Sequence, residues 1–114
     1  MSDCLFCKFV SGEIKPDTLY EDSDVLVFRD INPQAPHHFL AIAEAHVATI
    51  NDLEPDNAAI MGKLFLATKK GASQLGIAEA GYRTVANCNA DGGQTVFHIH
   101  LHVLAGRTLS WPPG

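Results

Sequence analysis

Apolar residues fall along this chain in short blocks of two rhythms, and those blocks predict its elements. Val25-Leu26-Val27-Phe28 is a β-favouring run, entered from a polar turn at Glu21-Asp22-Ser23-Asp24 and ended by Arg29-Asp30. The segment Asn32-Pro33-Gln34-Ala35-Pro36 must be a loop, because each proline lacks the N–H that a ladder needs. His37-His38-Phe39-Leu40-Ala41-Ile42-Ala43 then reads as a second strand, antiparallel to the first. From about Pro55 to Leu75 the rhythm changes. Ile60, Met61, Leu64, Ala67 and Leu75 recur at helical spacing, with Pro55 suited to the first turn and Gly76 to a C-terminal stop. A shorter helix is predicted over Cys4-Leu5-Phe6-Cys7-Lys8-Phe9-Val10, stopped by Gly12. Tyr82-Arg83-Thr84-Val85-Ala86-Asn87 and Thr95 to Leu104 supply two more strands around a loop holding Asp91-Gly92-Gly93. The tail Trp111-Pro112-Pro113-Gly114 cannot continue regular structure. Strands at the front and back around a middle helix imply an α+β domain on a mainly antiparallel sheet.

Composition narrows the class. The chain of 114 residues is the size of one domain, so residues 1–114 are expected to share a single core. A content of 46% hydrophobic and 18% charged residues is that of a globular chain, and no apolar run approaches the roughly 20 residues that cross a bilayer. Met1-Ser2-Asp3-Cys4 has neither a basic start nor a following apolar segment, which points to the cytoplasm. Three cysteines in a reducing compartment are metal ligands or thiols rather than staples. The net charge is −5 and the eight Lys and Arg are scattered, so there is no footprint for a nucleic-acid backbone. A small anion remains admissible, because backbone N–H groups and imidazoles can hold one without a basic balance.

Candidate chemistry lies in His98-Ile99-His100-Leu101-His102-Val103. Period two puts the three imidazoles on one face and the aliphatic residues on the other, whereas a helix would turn His100 nearly opposite to its neighbours. A single histidine is most often a packed or surface group. Three in alternation are harder to explain that way, since protonated rings would repel and neutral ones would bury polar groups without a partner. Metal ligation and phosphate chemistry both fit imidazoles in a row. Asp91-Gly92-Gly93-Gln94-Thr95 just upstream favours phosphate, because free N–H groups in such a loop can face phosphate oxygens, although a Gly-Gly pair alone is usually a turn.

The motif His98-Ile99-His100-Leu101-His102-Val103-Leu104 matches the His-φ-His-φ-His-φ-φ signature (φ apolar) of the histidine triad family. Phe28-Arg29-Asp30-Ile31-Asn32-Pro33-Gln34-Ala35-Pro36-His37-His38-Phe39-Leu40, Gly92-Gly93-Gln94-Thr95-Val96-Phe97 and the ending Trp111-Pro112-Pro113-Gly114 resemble its nucleotide-binding branch. The resemblance spans nearly the whole chain. It implies a five-stranded, mainly antiparallel sheet with one long and one short helix, continued into ten strands across a homodimer. It further implies hydrolysis of purine nucleoside 5′-phosphoramidates (AMP, GMP and their amine or lysine conjugates) through a covalent nucleotidyl-histidine. Dinucleoside polyphosphate cleavage and a non-catalytic nucleotide- or zinc-binding module are the alternatives.

Residue by residue, the resemblance makes His100 the nucleophile, flanked on the phosphate by His102 and His38. It gives Asn87, Gly93, Gln94 and Thr95 contacts to ribose, phosphate or leaving group; Thr95 stands where serine is common. Asp30 would accept from ribose hydroxyls, and Ile31, Phe6 and Phe28 would sandwich the purine, although ordinary core is an equal reading for those apolar residues. Trp111 would reach the partner's active site. Cys4-x-x-Cys7 has ligand-pair spacing. In similar chains such a pair joins histidines at the positions of His46 and His98 in a structural zinc site, with no metal required for the chemistry. Cys88 has no counterpart in that scheme.

Overall fold

Val25, Leu26, Val27 and Phe28 are all buried, so the strand β2 (Val25–Arg29) reads as a continuous apolar run because both of its faces are covered. It pairs antiparallel with β3 (His37–Ala43), from Val25 opposite Ala43 to Arg29 opposite Phe39. β3 in turn pairs antiparallel with β5 (His100–Ala105), placing Ile42 opposite His100 and Leu40 opposite His102. β1 (Thr18–Glu21) and β4 (Arg83–Val85) flank these strands, giving a five-stranded antiparallel sheet in the order β1-β2-β3-β5-β4. The computed structural model describes residues 3–114. Met1 and Ser2, the start of the segment read as carrying no secretion signal, lie outside the described residues.

Each face of the sheet takes one helix. The long helix α2 (Ala59–Gln74) lays Leu64, Ala67 and Ala72 on one face, against Val25, Val27, Phe39, Ala41, Leu101 and Val103. Burying one such Leu or Phe contributes roughly 1.5–3 kcal/mol. The short helix α1 (Leu5–Ser11) covers part of the other face with Phe6, against Leu26, Phe28, Leu40 and Ile42. That face is only partly roofed, and His38, His100 and His102 alternate onto it. Among the described residues no helix is long and apolar enough to cross a membrane.

Five elements differ from the sequence reading. β1 was not expected, and the turn at Glu21–Asp24 proves to be its hairpin to β2, where Asp22 Oδ1 accepts from the N–H groups of Asp24 and Val25. α1 begins one residue later than read, because Cys4 is its cap and accepts from the Cys7 N–H. Pro55 sits in a turn rather than in the first turn of α2, which starts at Ala59. The last two strands are shorter than read: Arg83–Val85 instead of 82–87, and His100–Ala105 instead of 95–104.

Two glycines of α2 make opposite predictions. A Cβ on Gly71 would lie 2.8 Å from Phe39 Cε1 and 3.4 Å from Val27 Cγ1, whereas one on Gly62 would meet nothing within 4 Å. Gly62→Ala is therefore expected to raise stability by about 1 kcal/mol through helix propensity. Gly71→Val should lower it by about 2 kcal/mol through overpacking. Urea denaturation of both variants checks the opposed signs.

Candidate functional site

The partly roofed face holds a cavity of about 460 Å³ whose walls include Phe6, Phe28, Asp30, Thr95, His100 and His102. A more open depression of about 550 Å³ lies beyond the end of β5 near Arg83 and Arg107, but both guanidinium groups donate to backbone carbonyls and no histidine is among its lining residues. His100 and His102 line the first cavity, which makes it the candidate site.

His100 is buried, and its Nδ1 lies 2.6 Å from the carbonyl oxygen of His98. A carbonyl only accepts, so Nδ1 carries the ring proton and Nε2 carries the lone pair. Phe6 stands edge-on to the ring, 5.0 Å between centroids at 87°. Burial pushes the pKa of His100 below the ordinary imidazole value, against the bond to the His98 carbonyl and the charge of Asp30. The ring is thus kept neutral.

His102 carries the opposite tautomer. The Gln34 N–H donates to His38 Nδ1 at 3.0 Å, so the proton of the neutral His38 ring sits on Nε2. His38 Nε2 lies 3.0 Å from His102 Nδ1 and 3.4 Å from Asp30 Oδ2. His102 Nδ1 must then accept, which leaves its own proton on Nε2. Burial lowers the pKa of His38 while Asp30 opposes the shift. Asp30, His38 and His102 are close enough to be read as metal ligands. However, the proton on His38 Nε2 occupies the position a metal would take, so in this structure the trio forms a hydrogen-bond relay instead.

Burial, then the neighbouring His100 and His38, push His102 down to about 4 from 6.5. An unfolded chain takes up a proton on this histidine near pH 6.5, whereas the folded chain does so only near 4. This contribution to stability is therefore complete above pH 6.5 and falls as the pH drops toward 4. Urea midpoints at about pH 7 and about pH 5 are expected to differ more in the wild type than in His102→Asn, which has no such proton to bind.

His98 leaves this group. The strand begins only at His100, and His98 Nε2–H donates to the Ala43 carbonyl at 2.6 Å. Its Nδ1 lone pair is turned toward Cys4 Sγ at 3.4 Å, Cys7 Sγ at 3.5 Å and His46 Nδ1 at 3.3 Å, with Cys7 Sγ 3.2 Å from His46 Nδ1. The three triad rings therefore do not converge on one ligand; His38 takes the third place. The four donors Cys4, Cys7, His46 and His98 could hold a metal. Zinc bonds of ~2.3 Å to sulfur and ~2.0–2.1 Å to nitrogen imply tetrahedral nitrogen–nitrogen and nitrogen–sulfur edges of ~3.3–3.6 Å, close to the distances here. The Ala43 carbonyl supplies the outer bond that fixes the tautomer of a ligating imidazole.

The remaining sequence candidates divide. Phe6 and Phe28 meet edge to face at 5.6 Å on the cavity wall, and Ile31 borders it while 97% exposed. Thr95 lines the cavity from its exposed side. Gln94 is buried with its amide occupied: Oε1 accepts from the Asn89 N–H, and Nε2 donates to the carbonyls of Ala48 and Val96. It braces the loop that delivers Thr95. Asn87, Gly93 and the 80% exposed Trp111 do not line the cavity within this chain. The sequence reading missed Gln34, whose backbone N–H sets the relay. A main-chain donor in a proline-rich loop leaves no side-chain signal.

Comparison with known proteins places these features. A model of the HIT domain matches residues 11–109. The chain is 46% identical to an uncharacterized HIT-like protein of Synechococcus elongatus, over 98% of this chain and 97% of that one. It is 44% identical to the purine nucleoside phosphoramidase of Escherichia coli K12, over 94% and 90% of the two chains. The crystal structure of a HIT family hydrolase from Legionella pneumophila superposes with a TM-score of 0.94 at 50% identity, covering 98% of this chain and 100% of that one.

Proposed function

The chain belongs to the HIT domain family, and from that premise we propose that it hydrolyses purine nucleoside 5′-phosphoramidates through a covalent nucleotidyl-histidine on His100. One observation carries the reading: adjacent imidazoles on one strand hold opposite tautomers, His100 with a bare Nε2 and His102 with an Nε2–H. One ring can attack phosphorus while the other donates to the phosphoryl oxygens. The name and 44% identity of the Escherichia coli enzyme support the substrate class.

In the first step the Nε2 lone pair of His100 forms a bond to the α-phosphorus and the P–N bond breaks. The amine leaves with that electron pair and takes a proton from solvent on the open Thr95 side. His102 Nε2–H stabilises the charge that builds on the phosphoryl oxygens, and His100 Nδ1–H strengthens its bond to the His98 carbonyl as the ring becomes cationic. Water then attacks phosphorus and loses a proton to solvent as the P–Nε2 bond breaks, its electron pair returning to Nε2, which releases the nucleoside monophosphate and restores neutral His100.

Phe6, Phe28 and Ile31 hold the purine, and Asp30 accepts from ribose hydroxyls; their place on the cavity wall supports these roles. Thr95 sits on the leaving-group side, and Asn87 and Gly93 act from the adjoining loop. Cys4, Cys7, His46 and His98 hold a structural zinc, which when bound supplies a cross-link between α1 and the entry to β5 and takes no part in the reaction. The short edge strand β4 pairs with its copy in a homodimer, extending the sheet to ten strands, and Trp111 crosses to the partner's cavity. Its 80% exposure here supports that role. Residues 1–114 form one domain.

An assay with a fluorogenic adenosine 5′-phosphoramidate beside a diadenosine polyphosphate tests the reading. Turnover of the phosphoramidate in clear preference is expected. Preference for the polyphosphate would replace this substrate class, and tight AMP binding without turnover of either would make the chain a binding module.

A further inference from the structure

The relay that sets His102 depends on one backbone N–H in an exposed loop. Residues 32–34 are exposed, and two prolines leave this stretch short of main-chain donors. Something must hold Gln34 so that its N–H stays on His38 Nδ1. Two contacts from the far end of β5 meet that loop. Arg107 Nη2 donates to the Gln34 carbonyl at 3.2 Å. Gly106, with φ at 98°, packs so closely on Pro36 that a Cβ there would lie 2.6 Å from Pro36 Cβ and 3.1 Å from its Cγ. That φ favours glycine in any case. From the loop's own side, Gln34 Nε2 donates to the Asn32 carbonyl at 3.0 Å, and the Asn32 N–H donates to Asp30 Oδ1 at 2.8 Å.

We infer that the Gly106-Arg107 corner is a positioning device for catalysis: it clamps the loop carrying Gln34 so that the Gln34 N–H selects the tautomer of His38 and, through it, that of His102. This rests on the reading above, in which His102 donates to the phosphoryl group.

The selection has two states. In one, His38 Nε2–H donates to His102 Nδ1, and His102 Nε2 keeps its proton. In the other, the bridging proton belongs to His102 Nδ1, His38 is protonated on Nδ1, and His102 presents a lone pair on Nε2. A lone pair there repels phosphoryl oxygens. The two states have the same number of protons and the same bond between the rings, so groups outside the pair decide between them: Asp30 Oδ2, 3.4 Å from His38 Nε2, favours the first state, and a donor on His38 Nδ1 secures it. Gln34 is that donor. Arg107 and Gly106 touch neither substrate nor reacting ring, so they act through it.

The test uses the full chain labelled with ¹⁵N in its histidine rings, because ring nitrogens with and without a proton resonate far apart. In the wild type, His38 and His102 should both show a bare Nδ1 and a protonated Nε2, and His100 the reverse. Arg107→Ala should mix the tautomers of His38 and His102 and lower kcat by roughly 3- to 10-fold with KM nearly unchanged, the worth of about one backbone hydrogen bond. Arg107→Lys, which keeps a donor, should recover most of both signals. Gly106→Ala should act more strongly in the same direction. If it does not fold, the exposed Arg107 still decides the case. The inference falls if the wild-type His38 is protonated on Nδ1. It also falls if Arg107→Ala loses activity with wild-type tautomers, or if it changes neither. A wild type that cleaves no phosphoramidate defeats the functional reading instead, and the nitrogen spectra then judge the clamp alone.

Discussion

His100→Ala is expected to lower kcat/KM for an adenosine phosphoramidate by roughly 10⁴-fold or more, as losses of covalent nucleophiles do. That is a barrier rise of about 5.5 kcal/mol. The size follows from the lack of a substitute. Among the other rings, His98 is turned to the cysteines, and His38 and His102 carry their protons on the nitrogen that would have to attack. Alanine also removes a buried ring beside Phe6, so a folding defect has to be separated from a chemical one. AMP should still raise the melting temperature of the variant, because Phe6, Phe28 and Asp30 remain. Intact-protein mass after a rapid alkaline quench should show a nucleotidyl adduct in the wild type, mapped to His100, and none in His100→Ala. Wild-type turnover in the variant, or an adduct on another residue, ends the mechanism.

The sheet's centre and the alternating histidines were legible because their physics is local. β2 and β3 are apolar runs bounded by turns, and Leu101 and Val103 must alternate with His100 and His102 if one face packs on α2. β1 escaped notice because an edge strand needs little apolar surface: only Leu19 and Tyr20 of its four residues are even partly buried, and its register shifts between Thr18 and Tyr20. The stretch 95–99 has β-favouring composition yet is not strand. There the Ile99 N–H donates to the Val47 carbonyl, Gln94 ties the loop to Ala48, and His98 is drawn toward Cys4 and Cys7. Those constraints join residues about 50 to 90 positions apart, and no local pattern encodes them. His100 and His102 could thus be read from spacing, which also counted in His98 and left His38 to the resemblance. Their tautomers could not, since these depend on the carbonyls of His98 and Ala43 and on the Gln34 N–H.

Cys7→Ser is expected to release the zinc and lower the melting temperature by about 10–20 °C. A site loaded at about 1,000 times its dissociation constant adds about 4 kcal/mol, and each kcal/mol moves the midpoint of a domain near this size by about 3–5 °C. The loss concentrates on α1, whose seven residues are too few to hold a helix unaided. Phe6, Phe9 and Val10 pack that helix on Phe28 and Leu40, and the donor set of Cys4 and Cys7 with His46 and His98 ties its start. Both cysteines precede the residues matched by the HIT domain model, whereas His46 and His98 lie within them. Releasing α1 loosens Phe6 on the cavity wall, and KM should rise. The His100 adduct should still form, because its tautomer rests on a backbone carbonyl and no step passes through the metal. Elemental analysis of protein purified without added metal should find about one zinc per chain in the wild type and none in Cys7→Ser. Wild-type protein that is metal-free and melts at an unchanged temperature defeats the zinc reading, and an adduct that vanishes with the zinc would mean the metal reaches the chemistry after all.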